Sequence, residues 1–121
     1  MKKIIILIPV FNDWESFKKL IFEINDIISN LQEIHFECLV INDASSIEQP
    51  KLTRPSNIKY LEILNMKENR GHARCNAFGI RHVFQKKDFD YLILMDGDGE
   101  DRPIEIKNLV EAINNKPTVS V

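Results

Sequence analysis

The chain has 121 residues and a net charge of −2, with 44% apolar and 28% charged residues, enough for one modest domain with a real core. That charge gives no case for wrapping nucleic acid, and no stretch approaches the ~20 apolar residues of a membrane span. The two cysteines, Cys38 and Cys75, fall in a predicted strand and a predicted helix and read as buried thiols rather than a disulfide or metal pair.

Met1-Lys2-Lys3 followed by Ile4 to Ile8 has the outline of a signal peptide. The apolar run is short, breaks at Pro9, and no small-residue cleavage site follows. It is read as a first strand, and the protein as cytoplasmic. Lys3 to Ile8 is continuously apolar, as expected of a strand covered on both faces. It stops at Pro9-Val10-Phe11-Asn12. A helix follows with Trp14, Phe17, Leu20, Ile21, Ile24, Ile27, Ile28 and Leu31 at helical spacing. Asn12, with Glu15 three residues on, predicts an N-cap and its capping-box partner.

A second strand is expected over Phe36 to Ile41, ending in Asn42-Asp43-Ala44-Ser45-Ser46. Pro50 and Pro55 mark the loop after it. A third strand over Ile58 to Leu64 leads to Asn69-Arg70-Gly71-His72-Ala73-Arg74, the predicted opening of a second helix. Ala73, Ala77, Ile80 and Phe84 would lie on one face of it. The fourth strand, Tyr91 to Met95, runs into Asp96-Gly97-Asp98-Gly99-Glu100-Asp101. Pro103 starts a third helix carrying Ile106, Leu109, Val110 and Ile113, and Thr118 to Val121 begins a fifth strand.

The order β-α-β-loop-β-α-β-α-β predicts an α/β fold: a mainly parallel, doubly wound, Rossmann-like sheet with helices on both faces. It forms a single domain over residues 1–121, with no internal repeat or linker. In such sheets ligands bind beyond the carboxyl ends of the strands. Asn12, Asp43, Asp96 and Asp98 all fall there. The last predicted strand has nothing to cover its edge. The expectation is an N-terminal part of a longer, truncated domain, or an edge covered by another chain.

Asp96 and Asp98 can reach one cation if the backbone turns at Gly97, and Glu100 continues the alternation. Hard divalent cations take such oxygen ligands. As an EF-hand the stretch fails, because its sixth position is Asp101 and its twelfth Lys107. Alternatively it is a solvated acidic turn near the positive start of the third helix. Gly71 ahead of a helix offers backbone N–H groups to an anion. Arg70, His72 and Arg74 add hydrogen-bonding and positive groups, or else are solvated or paired with the acids. Asp43 could accept from a base or ribose, or cap its own turn with Ser45.

Four stretches in order, Ile8-Pro9-Val10-Phe11-Asn12, Val40-Ile41-Asn42-Asp43-Ala44-Ser45, Asn69-Arg70-Gly71-His72 and Leu94-Met95-Asp96-Gly97-Asp98, resemble the family 2 glycosyltransferases of the GT-A fold. The resemblance covers essentially the whole chain. The tail Asp96 to Pro103 is similar to the polyprenyl-phosphate sugar synthases, the dolichol-phosphate mannose synthase type. The resemblance implies that Pro9, Val10, Phe11 and Asn12 line a nucleoside pocket and that Asp43 contacts the base. Gly71, His72, Arg74 and Asp96 would serve the nucleotide phosphates. Asp96 and Asp98, with Glu100 where this group often has Gln, would hold Mg²⁺ or Mn²⁺ on the donor diphosphate. Asn42 stands where many members have a second Asp.

It further implies transfer of a sugar from a UDP- or GDP-sugar to a lipid phosphate or glycan acceptor, as in cell-envelope glycan synthesis. The catalytic base and acceptor site would lie beyond residue 121, so the 121-residue piece would not turn over alone. Membrane association, at the cytoplasmic face, would come through that further part. Two rivals differ in class. A nucleotidyltransferase on a related fold wants a Gly-rich basic loop after the first strand, whereas Pro9 to Asp13 holds neither Gly nor a basic residue. A non-catalytic nucleotide-binding or interaction module would use the open sheet edge.

Overall fold

The computed structural model describes residues 2–31, 33–86, 88–97 and 103–115. The elements are β1 (Lys2–Val10), α1 (Trp14–Ile28), β2 (Ile34–Asn42), β3 (Ile58–Asn65), α2 (His72–Lys86), β4 (Tyr91–Leu94) and α3 (Ile104–Asn115). The expected fifth strand lies outside the described residues. The four strands form one sheet in the order β3-β2-β1-β4, every pair parallel. This is the Rossmann-like α/β arrangement that the apolar runs predict.

β1 is central, so both its faces must be covered, and Ile4 to Val10 are all buried. Its even-numbered residues, Ile4, Ile6, Ile8 and Val10, pack with Trp14, Phe17, Leu20, Ile21, Ile24 and Ile28 of α1 and Ile106 and Val110 of α3. Trp14 and Phe17 meet edge to face at 6.0 Å. Its odd-numbered residues, Ile5 and Leu7, pack with Leu39, Ile41, Cys75 and Val83 under α2. The molecule is thus three layers, with α1 and α3 on one face and α2 on the other.

The second helix corrects the sequence reading. Ala73 and Ala77 are exposed, as is Phe84, while the buried line is Cys75 and Val83 with Gly79 between them; of the expected face, Ile80 alone packs against this core, half-buried. The reason is close approach: a Cβ on Gly79 would come within 2.5 Å of Leu7 Cδ1. A helix this near the sheet takes small residues at the contact, and apolar size elsewhere does not decide which side is buried. In α3, Ile106 and Val110 are buried as expected, but Leu109 is exposed. Both cysteines are buried and free, and burial pushes the Cys38 thiol up to about 12.

Pro9 is a proline in the middle strand of a sheet, where a missing N–H normally costs a ladder hydrogen bond. Lys3 O and Leu7 O accept from Asp90 N and Met95 N, whereas Val10 O accepts from Asp43 N. Odd residues of β1 therefore point their backbone groups at β4. β4 pairs only as far as Leu94, opposite Leu7. The rung after Met95 N to Leu7 O would need the N–H of Pro9, so the proline stands where the ladder with β4 stops. The pairing of β1 with β4 ends here, while β1, β2 and β3 run level to Val10, Asn42 and Asn65. Chain order also reverses between β1 and β4, which makes their carboxyl ends the topological switch point of the sheet.

Candidate functional site

Each loop leaving the carboxyl ends of β1, β2 and β3 carries one residue with positive φ: Asn12 at 61°, Ala44 at 56° and Gly71 at 87°. Asn tolerates this left-handed region and Gly enters it freely, whereas Ala pays for its Cβ. Three sharp turns leave the strand ends side by side.

Asn12 is not the helix cap that its sequence position suggests. Asp13 takes the N-cap position of α1, and no side chain caps it. Asn12 N instead donates to Ser45 Oγ at 2.9 Å, and Asn12 Oδ1 accepts from Ile47 N at 2.9 Å. Its amide also donates to Ser46 Oγ at 3.1 Å. The loop after β1 is bolted to the loop after β2. Ser45 donates from N and Oγ to Asn42 Oδ1, at 3.1 and 2.6 Å. Asn42 Nδ2 donates to Asn65 Oδ1 at 2.9 Å, tying in the end of β3. Sequence reading missed this relay, although a polar Asn-x-x-Ser stretch after a strand is a turn signal.

Asp43 is 1% exposed. It does not cap a turn with Ser45. Its carboxylate accepts from Arg70 N at 2.7 Å, Gly71 N at 2.9 Å and Asn69 Nδ2 at 3.0 Å. The anion at the start of α2 is thus the protein's own carboxylate, which satisfies the amides of residues 70 and 71. The N–H of Gly71, expected to meet a ligand anion, is already used. Gly71 is required for its φ, and no heavy atom lies within 4 Å of where its Cβ would stand. The buried Cys75 thiol, one turn on, is pushed up to about 12 by burial, aided by the hydrogen bond and negative charge of Asp43.

Asp96 leaves the sheet past the end of β4. Its side chain is 42% exposed, and its Oδ1 is 3.5 Å from His72 Nδ1 at the start of α2. Gly97 is buried against β1: a Cβ there would lie 3.0 Å from Val10 Cγ2 and 3.2 Å from Pro9 O. This close approach holds the chain after β4 against the end of β1.

Of the predicted nucleoside-lining residues, Pro9 and Val10 are buried and shape the site from behind. Phe11 is 42% exposed, and Asn12 is half-buried. His72 is brought to Asp96. Arg74 is exposed and falls 200° around the helix from His72 at ~100° per residue. Arg70 pairs with Glu68 at 2.9 Å. Asp98 and Glu100 lie outside the described residues. Among the described residues no three His, Cys, Asp or Glu side chains form a metal-holding group. The donor type of Asp96, a half-exposed carboxylate, does fit a hard divalent cation.

The model of Glycosyl transferase family 2 matches residues 5–121. The chain belongs to this family. It is 29% identical over 91% of its length to an undecaprenyl-phosphate 4-deoxy-4-formamido-L-arabinose transferase of Proteus mirabilis, covering 33% of that protein. It is 24% identical over 98% of its length to a dolichol-phosphate mannosyltransferase of Pyrococcus furiosus, covering 32% of it. A third relative, the uncharacterized protein MJ0544 of Methanocaldococcus jannaschii, is 24% identical over 92% of the chain and is covered to 47%. The chain therefore spans a third to a half of the length of these curated relatives.

Proposed function

We propose that this family 2 chain is the donor-binding part of a glycosyltransferase that moves a sugar from a UDP- or GDP-sugar to a polyprenyl phosphate at the cytoplasmic face of a membrane. The observation that carries the reading is Asp96, half-exposed at the switch point beside His72. An acid there suits a metal-bound diphosphate. The names of the Proteus and Pyrococcus relatives favour a lipid phosphate over a glycan as acceptor.

In this reading Phe11 and Asn12 present the nucleoside wall, and Asp43 holds the Gly71 turn so that His72 faces Asp96. Asp96, joined by Asp98 and Glu100, would hold Mg²⁺ or Mn²⁺, which supplies Lewis-acid neutralisation of charge on the departing diphosphate. His72, placed by the start of α2, contributes a hydrogen bond or positive charge beside the same oxygens. A phosphate acceptor is already an anionic nucleophile, so transfer to it needs no general base among these residues.

A thermal-shift screen with UDP, GDP, CDP and dTDP, each with and without Mn²⁺, tests the donor reading. One nucleotide should raise Tm in a Mn²⁺-dependent way, because binding to the folded state stabilises it by mass action. No shift with any of the four would reject it.

A further inference from the structure

The outer face of α2 combines basic and aromatic side chains. Arg74, Ala77, Phe78, Arg81 and Phe84 recur at helical spacing, and all five are exposed, Phe84 to 70% and Phe78 to 41%. Phe84 is held edge-on over Phe89 at 5.2 Å, so its ring stands at a fixed place on the surface. At ~100° per residue the two arginines share the outermost line, with Phe84 on one flank and Phe78 on the other.

Charge is sorted to this helix. α2 contains Arg74, Arg81 and Lys86 and neither Asp nor Glu. α1 carries Glu15, Glu23 and Asp26 against Lys18 and Lys19, and α3 carries Glu105 and Glu111 against Lys107. In a chain of net charge −2, positive charge and exposed aromatic rings fall together on one convex stripe.

We propose that this stripe docks on an anionic membrane surface, with α2 lying flat. Aromatic rings reach below the headgroups while arginine stems follow the apolar boundary and keep their charge at the phosphates. A convex helix surface without a groove suits a deformable lipid interface better than a folded partner. The start of α2 carries His72 beside Asp96, so docking along this helix brings the candidate site to the membrane edge. The surface stands independently of the nucleotide reading: losing Asp96 does not alter it.

The test is cosedimentation of the chain with phosphatidylcholine vesicles and with vesicles containing one-third phosphatidylglycerol. Binding is expected to the anionic vesicles only, and to fall with salt. Each basic side chain near such a surface contributes ~1 kcal/mol. Removing two, in R74E/R81E, should therefore cut partitioning at least about thirtyfold, and R81E alone about fivefold. F84S should weaken binding while leaving its salt dependence in place, and K19E on α1 should change nothing. All four substitutions are at exposed positions, so circular dichroism should show unaltered folding. Equal binding to both vesicle types, no binding to either, or undiminished binding by R74E/R81E would overturn the proposal. So would a dimer in sedimentation velocity that R81E dissociates without any vesicle binding, which would assign the stripe to a second copy.

Discussion

Asp43 after β2 and Asp96 after β4 both follow apolar strands at the same end of one sheet, and their surroundings are opposite. Asp43 is 1% exposed and receives three N–H groups from residues 69 to 71. Asp96 keeps 42% of its side chain in water, with His72 at 3.5 Å. One carboxylate is used to build the protein, and the other stands where a ligand can reach it. An aspartate at a strand end is thus no evidence of binding by itself; its partners decide.

The largest test of this contrast is Asp43→Ala. It strands the amides of Arg70 and Gly71 and removes the anion at the start of α2, so it should cost about 3–5 kcal/mol. Urea denaturation would show a clearly lowered midpoint, since typical total stabilities are only ~5–15 kcal/mol. A midpoint shift worth less than about 1 kcal/mol would mean that Asp43 is not the keystone.

Next in size is an effect of pH. The thiols of Cys38 and Cys75 are both held up to about 12 in the fold, from 9.0. Between those values the unfolded chain loses protons that the native chain keeps. Stability should therefore be intact below about pH 9 and fall steadily as pH rises towards 12. Denaturation midpoints at pH 8, 9 and 10 would show the fall, and a C38A/C75A variant should lessen it.

Smaller effects come from the turns. Gly71→Ala meets no crowding, but its φ of 87° should cost about 1–2 kcal/mol. Ala44→Gly should move the other way, gaining up to about 1 kcal/mol by relieving a φ of 56°. A loss at Ala44→Gly would show that chain entropy outweighs the strain there. Smallest of all should be the stability change at Asp96→Asn, within about 0.5 kcal/mol for a half-exposed side chain.

Much of this was legible in the sequence, and for an identifiable reason. β1 is a continuous apolar run, and β2 one interrupted by Glu37, because both faces of a central parallel strand are covered, and α1 shows its period because one wide stripe packs on the sheet. The family resemblance followed from four strand-end stretches in order. The buried side of α2 was not legible. Cys75, Gly79 and Val83 look less like a core face than Ala73, Ala77 and Phe84, and the distance between helix and sheet selects the smaller set.

Nor were the roles of Asn12 and Asp43 legible. Asn12 finds Ser45 33 residues away, and Asp43 finds Arg70 27 residues away. A local motif predicts local partners, a helix cap in one case and a turn serine in the other. Only the parallel sheet, by bringing the strand ends level, supplies the distant ones.

The proposed role of the end of β4 is to hold the metal-bound diphosphate of a donor. Calorimetric titration of the best-binding nucleotide, with Mn²⁺, into the wild type and into Asp96→Ala/Asp98→Ala tests it directly. Binding to the wild type should be Mn²⁺-dependent, and the folded double variant should lose at least tenfold, worth about 1.4 kcal/mol. Binding of equal strength to both proteins would contradict it.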